Sequence, residues 1–435
     1  MPENQLYAGA GTARIGFPAE LFPLEGFSGE IHDAPAVRVL LLEQGERAAI
    51  VAAELVMLLP SGVACVKETV AAATGTKPEN IWVHTTHAVS TPHEPHVPWG
   101  GPKKELSEAE RGRIARGSAL YLAALRAAVQ TAAEAALAAL RPARLGVDAA
   151  ECRVNVSREV ETPFGRWTGF APEGDSDHTA ALFRLEDDCG GLLASVVCFG
   201  MKAGALDNAG MKTETRVVSG DVPGRACTLL EERLGAPCLY LMGAACDQIP
   251  RETALYDTVG EDGAVRTVDL GAAKGLEIAE RLGGELAETL APAIERICCT
   301  AHDCPVRSAR RTFEWRTKRR TPVALTKHAE YSAEGGTELE VLAMTVGGAA
   351  FCALRQEVNA VTERELREAS PFAVTRMVTM VNGSSKYMPD RAAYENAAPA
   401  AQGAMLMPGA AERWVAECVS LLREMKGTDG GNKND

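Results

Sequence analysis

Short aliphatic runs alternate with longer stretches whose apolar positions return every three or four residues, the alternation expected of an α/β chain. "VRVLLLE" (Val37 to Glu43) and "AAIVAAELV" (Ala48 to Val56) read as neighbouring strands across the turn "QGER". A helix is predicted from Gly62 to Ala73, then the strand "NIWVHTT". The longest helical pattern starts at Ser107, with Glu110 as its capping-box partner, and runs to Leu140 before Pro142 stops it. Its alanines recur on one face, which should lie close against a sheet. Further strands are predicted near Ala143 to Val147, Thr179 to Glu186, Leu192 to Phe199 and at "CLYLMG", with helices near Arg225 to Arg233 and from Leu270 to Leu290, the latter capped by Asp269. "TELEVLAMTVGGAAFCALRQE" reads as a hairpin turning at Gly347 and Gly348. A helix from Pro408 to Met425 closes one unit over 1–426, and "GTDGGNKND" (427–435) is expected to be a disordered tail.

With 435 residues, 46% hydrophobic, the chain can bury a sizeable core. No apolar run reaches the roughly eighteen residues of a membrane span, and "MPENQLYAGAGTARIG" has neither a basic leader nor an apolar signal core, so a soluble, cytoplasmic protein is expected. Most of the twelve cysteines sit singly in apolar runs, where a thiol acts as a small hydrophobe. Cys298, Cys299 and Cys304 lack the second half of a zinc knuckle. The net charge of -13 argues against nucleic acid or an anionic membrane as the main partner. The basic stretch "RRTFEWRTKRR" alternates charged and apolar positions, as an exposed strand face does.

Candidate chemistry clusters first in "VHTTHAVSTPHEPHVPWGG", which holds four of the eight histidines. His84 ends a strand, so it shares a site with His87 only if the chain turns between them. Prolines at 92, 95 and 98 should give the segment polyproline II character and place His93 and His96 on one side. Neutral imidazoles of this kind suit zinc. Asp221 in "SGDVPGRA" and Asp247 in "MGAACDQIPR" follow β-runs, where α/β sheets collect their sites, although Asp221 could equally cap the helix starting at Pro223. Glu357 and Tyr387 also stand just past hydrophobic strands.

Taken in order, these segments resemble the neutral/alkaline ceramidase family, in its amino-terminal catalytic domain. "EGFSGEIHDAPAVRVLLL" is similar to the opening "GYGG…HDPLYARAL", "THAVSTP" to "THTHSGP", and Arg158 in "VNVSRE" to the "NR" after the long helix. "VVCFGMKAG" and "VSGDVPG" match "VNFACHPT" and "SADYPG"; "MGAACDQIPR", "ALRQEVN" and "NGSSKYMPDRAAY" match "NGAAGDINPR", "GLPGEPF" and "NGYxGYIPTREAY". "LMPGAAERWVAECVSLL" is close to the closing "LxPGAGERLVEAALELL".

The resemblance implies an α/β fold of mixed β-sheets flanked by helices and a zinc hydrolase site. Three of the family's four metal ligands have counterparts in His87, Glu357 and Tyr387; the fourth, a histidine, aligns with Lys202, whose ammonium carries donors but no lone pair. The second histidine of "THTHSGP" has become Val89, and the family's nucleophilic serine aligns with Ile249. Arg158 survives as the substrate-facing arginine, and Gly26 and His84 are expected beside substrate. The ceramidase immunoglobulin-like module is expected to be absent. These departures point away from ceramide and toward a small polar amide, ester or lactone. Two readings stand at this level: a zinc hydrolase with His93, His96 or His84 as the missing ligand and Asp221 or Asp247 as base, or a metal-free protein in which Lys202 serves as acid/base in a lyase or isomerase, or merely as an ion-pair partner in a small-molecule binder.

Overall fold

The computed structural model describes residues 4–97, 105–213, 215–260, 262–324 and 326–430. Three mixed sheets dominate them. The first runs in the order Ile81–Thr85, Glu46–Ala53, Ala36–Gln44, Tyr7–Arg14, Arg141–Pro142. The second is Cys238–Met242, Leu192–Phe199, Thr179–Glu186, Arg144–Glu151, and the third Val306–Pro322, Ala329–Val346, Ala349–Ala353, Val374–Val378. Each contains one parallel pair at an edge: Glu46–Ala53 with Ile81–Thr85, Leu192–Phe199 with Cys238–Met242, and Ala349–Ala353 with Val374–Val378.

The period-2 geometry of the strands explains why their sequences read as unbroken apolar runs. In the first sheet Leu40, Leu42 and Ile50 point to the middle of the molecule, while Val37, Val39, Leu41 and Val51 point out onto the helices Pro60–Thr74 and Glu108–Ala138. The second sheet sends Phe183, Val196 and Leu239 inward and Leu182, Val197 and Tyr240 onto the helices Asp221–Leu234 and Gly271–Arg296. The third sends Leu342 and Phe351 inward and Val341, Ala343 and Cys352 onto Ala360–Ala369 and Ala410–Gly430. Three helix-backed sheets therefore share one apolar centre, where the Phe183 and Phe351 rings lie 4.9 Å apart. Each large side chain buried there contributes about 2 kcal/mol.

The alanine-rich helix packs close to the sheet because the strand beneath it carries Gly9 and Gly11; a Cβ at either would strike the backbone of Ala136 or Ala132. Its capping box forms as expected, the Ser107 hydroxyl accepting from Glu110 N–H and the Glu110 carboxylate from Ser107 N–H. The helix predicted from Arg225 begins at Asp221, since Pro223 is tolerated in a first turn and Gly224 fits against the Glu54 carboxylate. Asp269 accepts from Gly271 N–H, but Leu270 occupies the N-cap position itself. The closing helix continues to Gly430, into the segment expected to be a tail; residues 431–435 lie outside the described ones. No helix of the described residues is long and apolar enough to cross a membrane.

One side chain joins all three sheets. His84 is fully buried; its Nδ1–H donates to the Thr379 carbonyl (2.9 Å), which follows the third sheet, and its Nε2 accepts from Met242 N–H (3.0 Å) in the second. Thr379 N–H in turn donates to the Met242 carbonyl at 2.9 Å, and Asn382 N–H to that of Val83 at 2.7 Å. This corrects the expectation that His84 touches substrate or supplies a metal ligand: both ring nitrogens are committed to the backbone. Burial holds its pKa at about 4, outweighing the Thr379 hydrogen bond, so the imidazole is neutral.

The unfolded chain binds a proton near pH 6.5 and the folded one only near 4, so the stability due to the neutral ring is complete above 6.5 and drains away as pH falls toward 4. Urea denaturation should show roughly 2 kcal/mol lost from this source between pH 7.5 and pH 5. His84→Leu should be less stable by about 3 kcal/mol at pH 7.5, with two backbone groups orphaned, and should lack that share of the pH dependence. Identical pH profiles for the two proteins would contradict the assignment.

Candidate functional site

The loops leaving the carboxyl ends of the parallel strands converge beyond His84. They carry His87 after Ile81–Thr85, Lys202 after Leu192–Phe199, Cys246 after Cys238–Met242, Glu357 after Ala349–Ala353 and Tyr387 after Val374–Val378. Backbone hydrogen bonds stitch them together. Val89 N–H donates to the Ala203 carbonyl and Ala203 N–H to that of Thr86, both at 3.4 Å, which sets the His87 loop beside the Lys202 loop. Cys246 N–H donates to the Val358 carbonyl at 3.0 Å. Glu357 N–H donates to the Lys386 carbonyl (2.9 Å) and Met388 N–H to that of Glu357 (2.8 Å), fixing Glu357 opposite Tyr387. Arg158 arrives on the strand Asn155–Val160, its N–H bonded to the Asp247 carbonyl at 2.8 Å.

His87 holds a left-handed backbone, φ 58°, a conformation that costs a non-glycine residue energy and is concentrated at functional loops. Its Nδ1–H donates to the Val56 carbonyl at 2.8 Å, so Nε2 keeps its lone pair, and that atom lies 3.8 Å from a Glu357 carboxylate oxygen. Arg158 stacks over Tyr387, its guanidinium carbon 5.5 Å from the ring centre. Lys202, Arg158 and Glu357 are all buried, so charges that water would screen are left to one another. Burial, then the charge of Arg158, lower the Lys202 pKa against the pull of Asp207 and Glu357. Arg158 is disfavoured by burial, yet Tyr387, Cys246 and Glu357 together raise it and keep it charged. For the Tyr387 hydroxyl, Arg158 acts downward, but Glu357 and burial prevail and the net shift is upward. Burial likewise pushes the Cys246 thiol well up.

Five of the residues singled out in the sequence, His87, Glu357, Tyr387, Arg158 and Lys202, thus come together. Others do not join them. The Asp221 carboxylate, at the first turn of its helix, accepts from the N–H groups of Ala205, Leu206 and Val222 at 2.7–3.0 Å. Burial pushes its pKa up to about 6. It is a brace for the chain between Lys202 and the helix, neither a free base nor a cap for a helix starting at Pro223. The Asp247 carboxylate accepts from Ala360 N–H (3.0 Å) and faces Glu159, so the candidate base looks away from Arg158. His93 docks its Nδ1 on Glu25 (2.9 Å) and His96 its Nδ1 on the Glu94 carbonyl (2.8 Å), interactions that hold the loop against its surroundings. Gly26 has φ 80° and accepts from Arg216 N–H at 3.2 Å; Arg216 also reaches the Val89 carbonyl, so Gly26 frames the loop that carries His87. Cys246 was not singled out from the sequence, although its place just past a strand was the available signal.

Zinc takes nitrogen and oxygen donors of the kinds His87, Glu357 and Tyr387 present. No group of three or more His, Cys, Asp or Glu placed to hold a metal occurs among the described residues, so a metal here depends on the Tyr387 oxygen as its third donor. The His87 tautomer meets the requirement: tying Nδ1–H to a carbonyl is how proteins aim the other nitrogen at a metal. Three protein donors with one position left open is the pattern of catalytic rather than structural zinc.

Six chains of known structure match this fold. A ceramidase complexed with C2 superposes with a TM-score of 0.70 over 98% of this chain and 76% of its own, at 14% identity. The neutral ceramidase of Pseudomonas aeruginosa gives a TM-score of 0.67 over 97% of this chain and 75% of its own, at 15% identity. No protein-family model and no curated protein sequence matches the chain. The likeness establishes a neutral-ceramidase catalytic-domain fold, with mixed sheets flanked by helices.

Asp221→Ala should destabilise the protein by about 3 kcal/mol, because three buried N–H groups lose their acceptor. Asp221→Asn should cost less, keeping one oxygen but turning an amide donor on the remaining N–H. Thermal or urea denaturation checks the order wild type, Asn, Ala; equal stability of all three would remove the bracing role.

Proposed function

We propose that the protein is a metal-dependent hydrolase of a small polar amide, ester or lactone, working where His87, Glu357 and Tyr387 meet. One observation carries the reading: three loops leaving two different sheets bring together an imidazole with a free Nε2, a carboxylate 3.8 Å from it and, opposite that carboxylate, a phenol, in a fold shared with ceramidases. His87, Glu357 and Tyr387 would hold the metal, which when bound supplies an activated water and polarises the scissile carbonyl.

The chain's own residues do the rest. Arg158, buried and kept charged, offers a guanidinium to a substrate carboxylate or a developing oxyanion, and Lys202, buried between Arg158 on one side and Asp207 and Glu357 on the other, offers an N–H donor beside it. Of the five converging residues Glu357 alone is a carboxylate, and its negative charge would hold the metal against the neighbouring Arg158 and Lys202. Ile249 stands where the ceramidase resemblance would place a nucleophilic serine, and it is buried aliphatic surface, paired with Val156 across two strands. Attack by water rather than by a side-chain hydroxyl follows from that difference, as does a substrate other than ceramide.

A second reading rests on Lys202. It occupies the position of a metal-binding histidine in the resemblance, buried beside Arg158 and Glu357, where its amine could move a proton next to a carbonyl without any metal.

Elemental analysis of protein purified without a histidine tag separates the two. The hydrolase reading expects about one zinc per chain, lost in His87→Ala, and a chelator-sensitive hydrolysis of small amides, esters or lactones that falls at least about 100-fold in that variant. A protein that takes up no zinc on reconstitution, and whose turnover of carbonyl compounds survives chelation but not Lys202→Ala, is the metal-free enzyme instead.

A further inference from the structure

On the other side of the strand that carries Arg158 lies a cavity. Alternation along Asn155–Val160 sends Arg158 toward Tyr387, and Ser157 and Glu159 to the opposite face, where they line a cavity of about 620 Å³. Asp247 turns the same way while its neighbour Cys246 stays with Arg158.

The charge of this cavity is one-sided. Glu159, Glu161, Glu173, Asp175, Asp247 and Asp390 line it, against Arg166 as the lining cation. Arg166 is bound to Glu159 and Glu161, and Arg364 engages Asp175 from outside the lining. The wall also contains Asn359, which is 3% exposed and whose Oδ1 has no hydrogen-bond partner. A buried carbonyl-type oxygen left unpaired costs about 1–3 kcal/mol, which an incoming donor would recover. Burial, with Glu159, pushes Asp247 up to about 7, a cost that a positive ligand would also relieve.

We infer that this cavity is a binding site for an aliphatic amine, whose ammonium groups are taken by Asp247, Asn359 and the neighbouring carboxylates. The acceptors are spread around a volume suited to a molecule of several atoms, and among the described residues no three carboxylates come together as a metal ion requires. The Phe170 ring, also in the wall, offers a face to alkyl chain or ammonium. This site is independent of the hydrolase reading and stands or falls separately from it.

Isothermal titration of the full chain with spermidine at low salt tests it. Wild type should bind saturably at one site per chain, and Asp247→Asn, which keeps an oxygen for Ala360 N–H, should weaken binding about tenfold. Glu173→Gln, an exposed change that spares the fold, should weaken it about threefold. The absence of saturable binding, equal binding by wild type and both variants, or an equal response to magnesium chloride alone would overturn the proposal, the last two marking nonspecific counter-ion uptake by an acidic protein.

Discussion

The architecture turns on the imidazole of His84. Three sheets, each backed by its own helices, could slide on a shared apolar centre, since dispersion and hydrophobic burial are poorly directional. A ring that donates to Thr379 and accepts from Met242 while belonging to the first sheet removes that freedom. It works only as the neutral tautomer, which full burial enforces. The parallel edges of the three sheets are registered at their carboxyl ends, and the five loops that carry the candidate chemistry start from that junction.

A buried ion-pair system makes a second tie between layers. Arg38 in the first sheet bonds Glu54 at 2.5 Å and Glu231, on the helix Asp221–Leu234, at 2.7 Å, while Glu54 also accepts from Ala36 N–H at 2.7 Å. Such a system adds little net stability over apolar packing, but breaking it leaves a charge without a partner, so it specifies one arrangement of sheet and helix. Around Arg158 the balance differs: the buried Lys202 and Arg158 oppose each other, with Asp207 and Glu357 as the compensating carboxylates. A fold can tolerate that cost locally because its large apolar centre supplies the stability elsewhere.

Much of the candidate site is legible in the sequence. His87, Glu357 and Tyr387 all stand just past apolar strands, and Arg158 and Lys202 follow from motif order. What could not be read was direction. Asp247 and Cys246 are adjacent in sequence, yet Asp247 lines the acidic cavity while Cys246 lies with Arg158, and His84 and His87, three residues apart, became a strut and a candidate ligand. His93 and His96 do share a face, their ring centres 6.2 Å apart, while Nδ1 of one is held by Glu25 and that of the other by the Glu94 carbonyl.

The sequence by itself determined the elements: strands from aliphatic runs, the long helix from its Ser107–Glu110 box and alanine stripe, the hairpin from Gly347 and Gly348. Those depend on local sterics, capping and periodicity, which neighbouring residues set. Tertiary structure decided which helix backs which sheet, which carboxylates are braced by backbone N–H groups, and which side of the Asn155–Val160 strand each polar group serves. These are long-range pairings, fixed by burial and by partners more than a hundred residues away, and a one-residue change of phase along a strand reverses them.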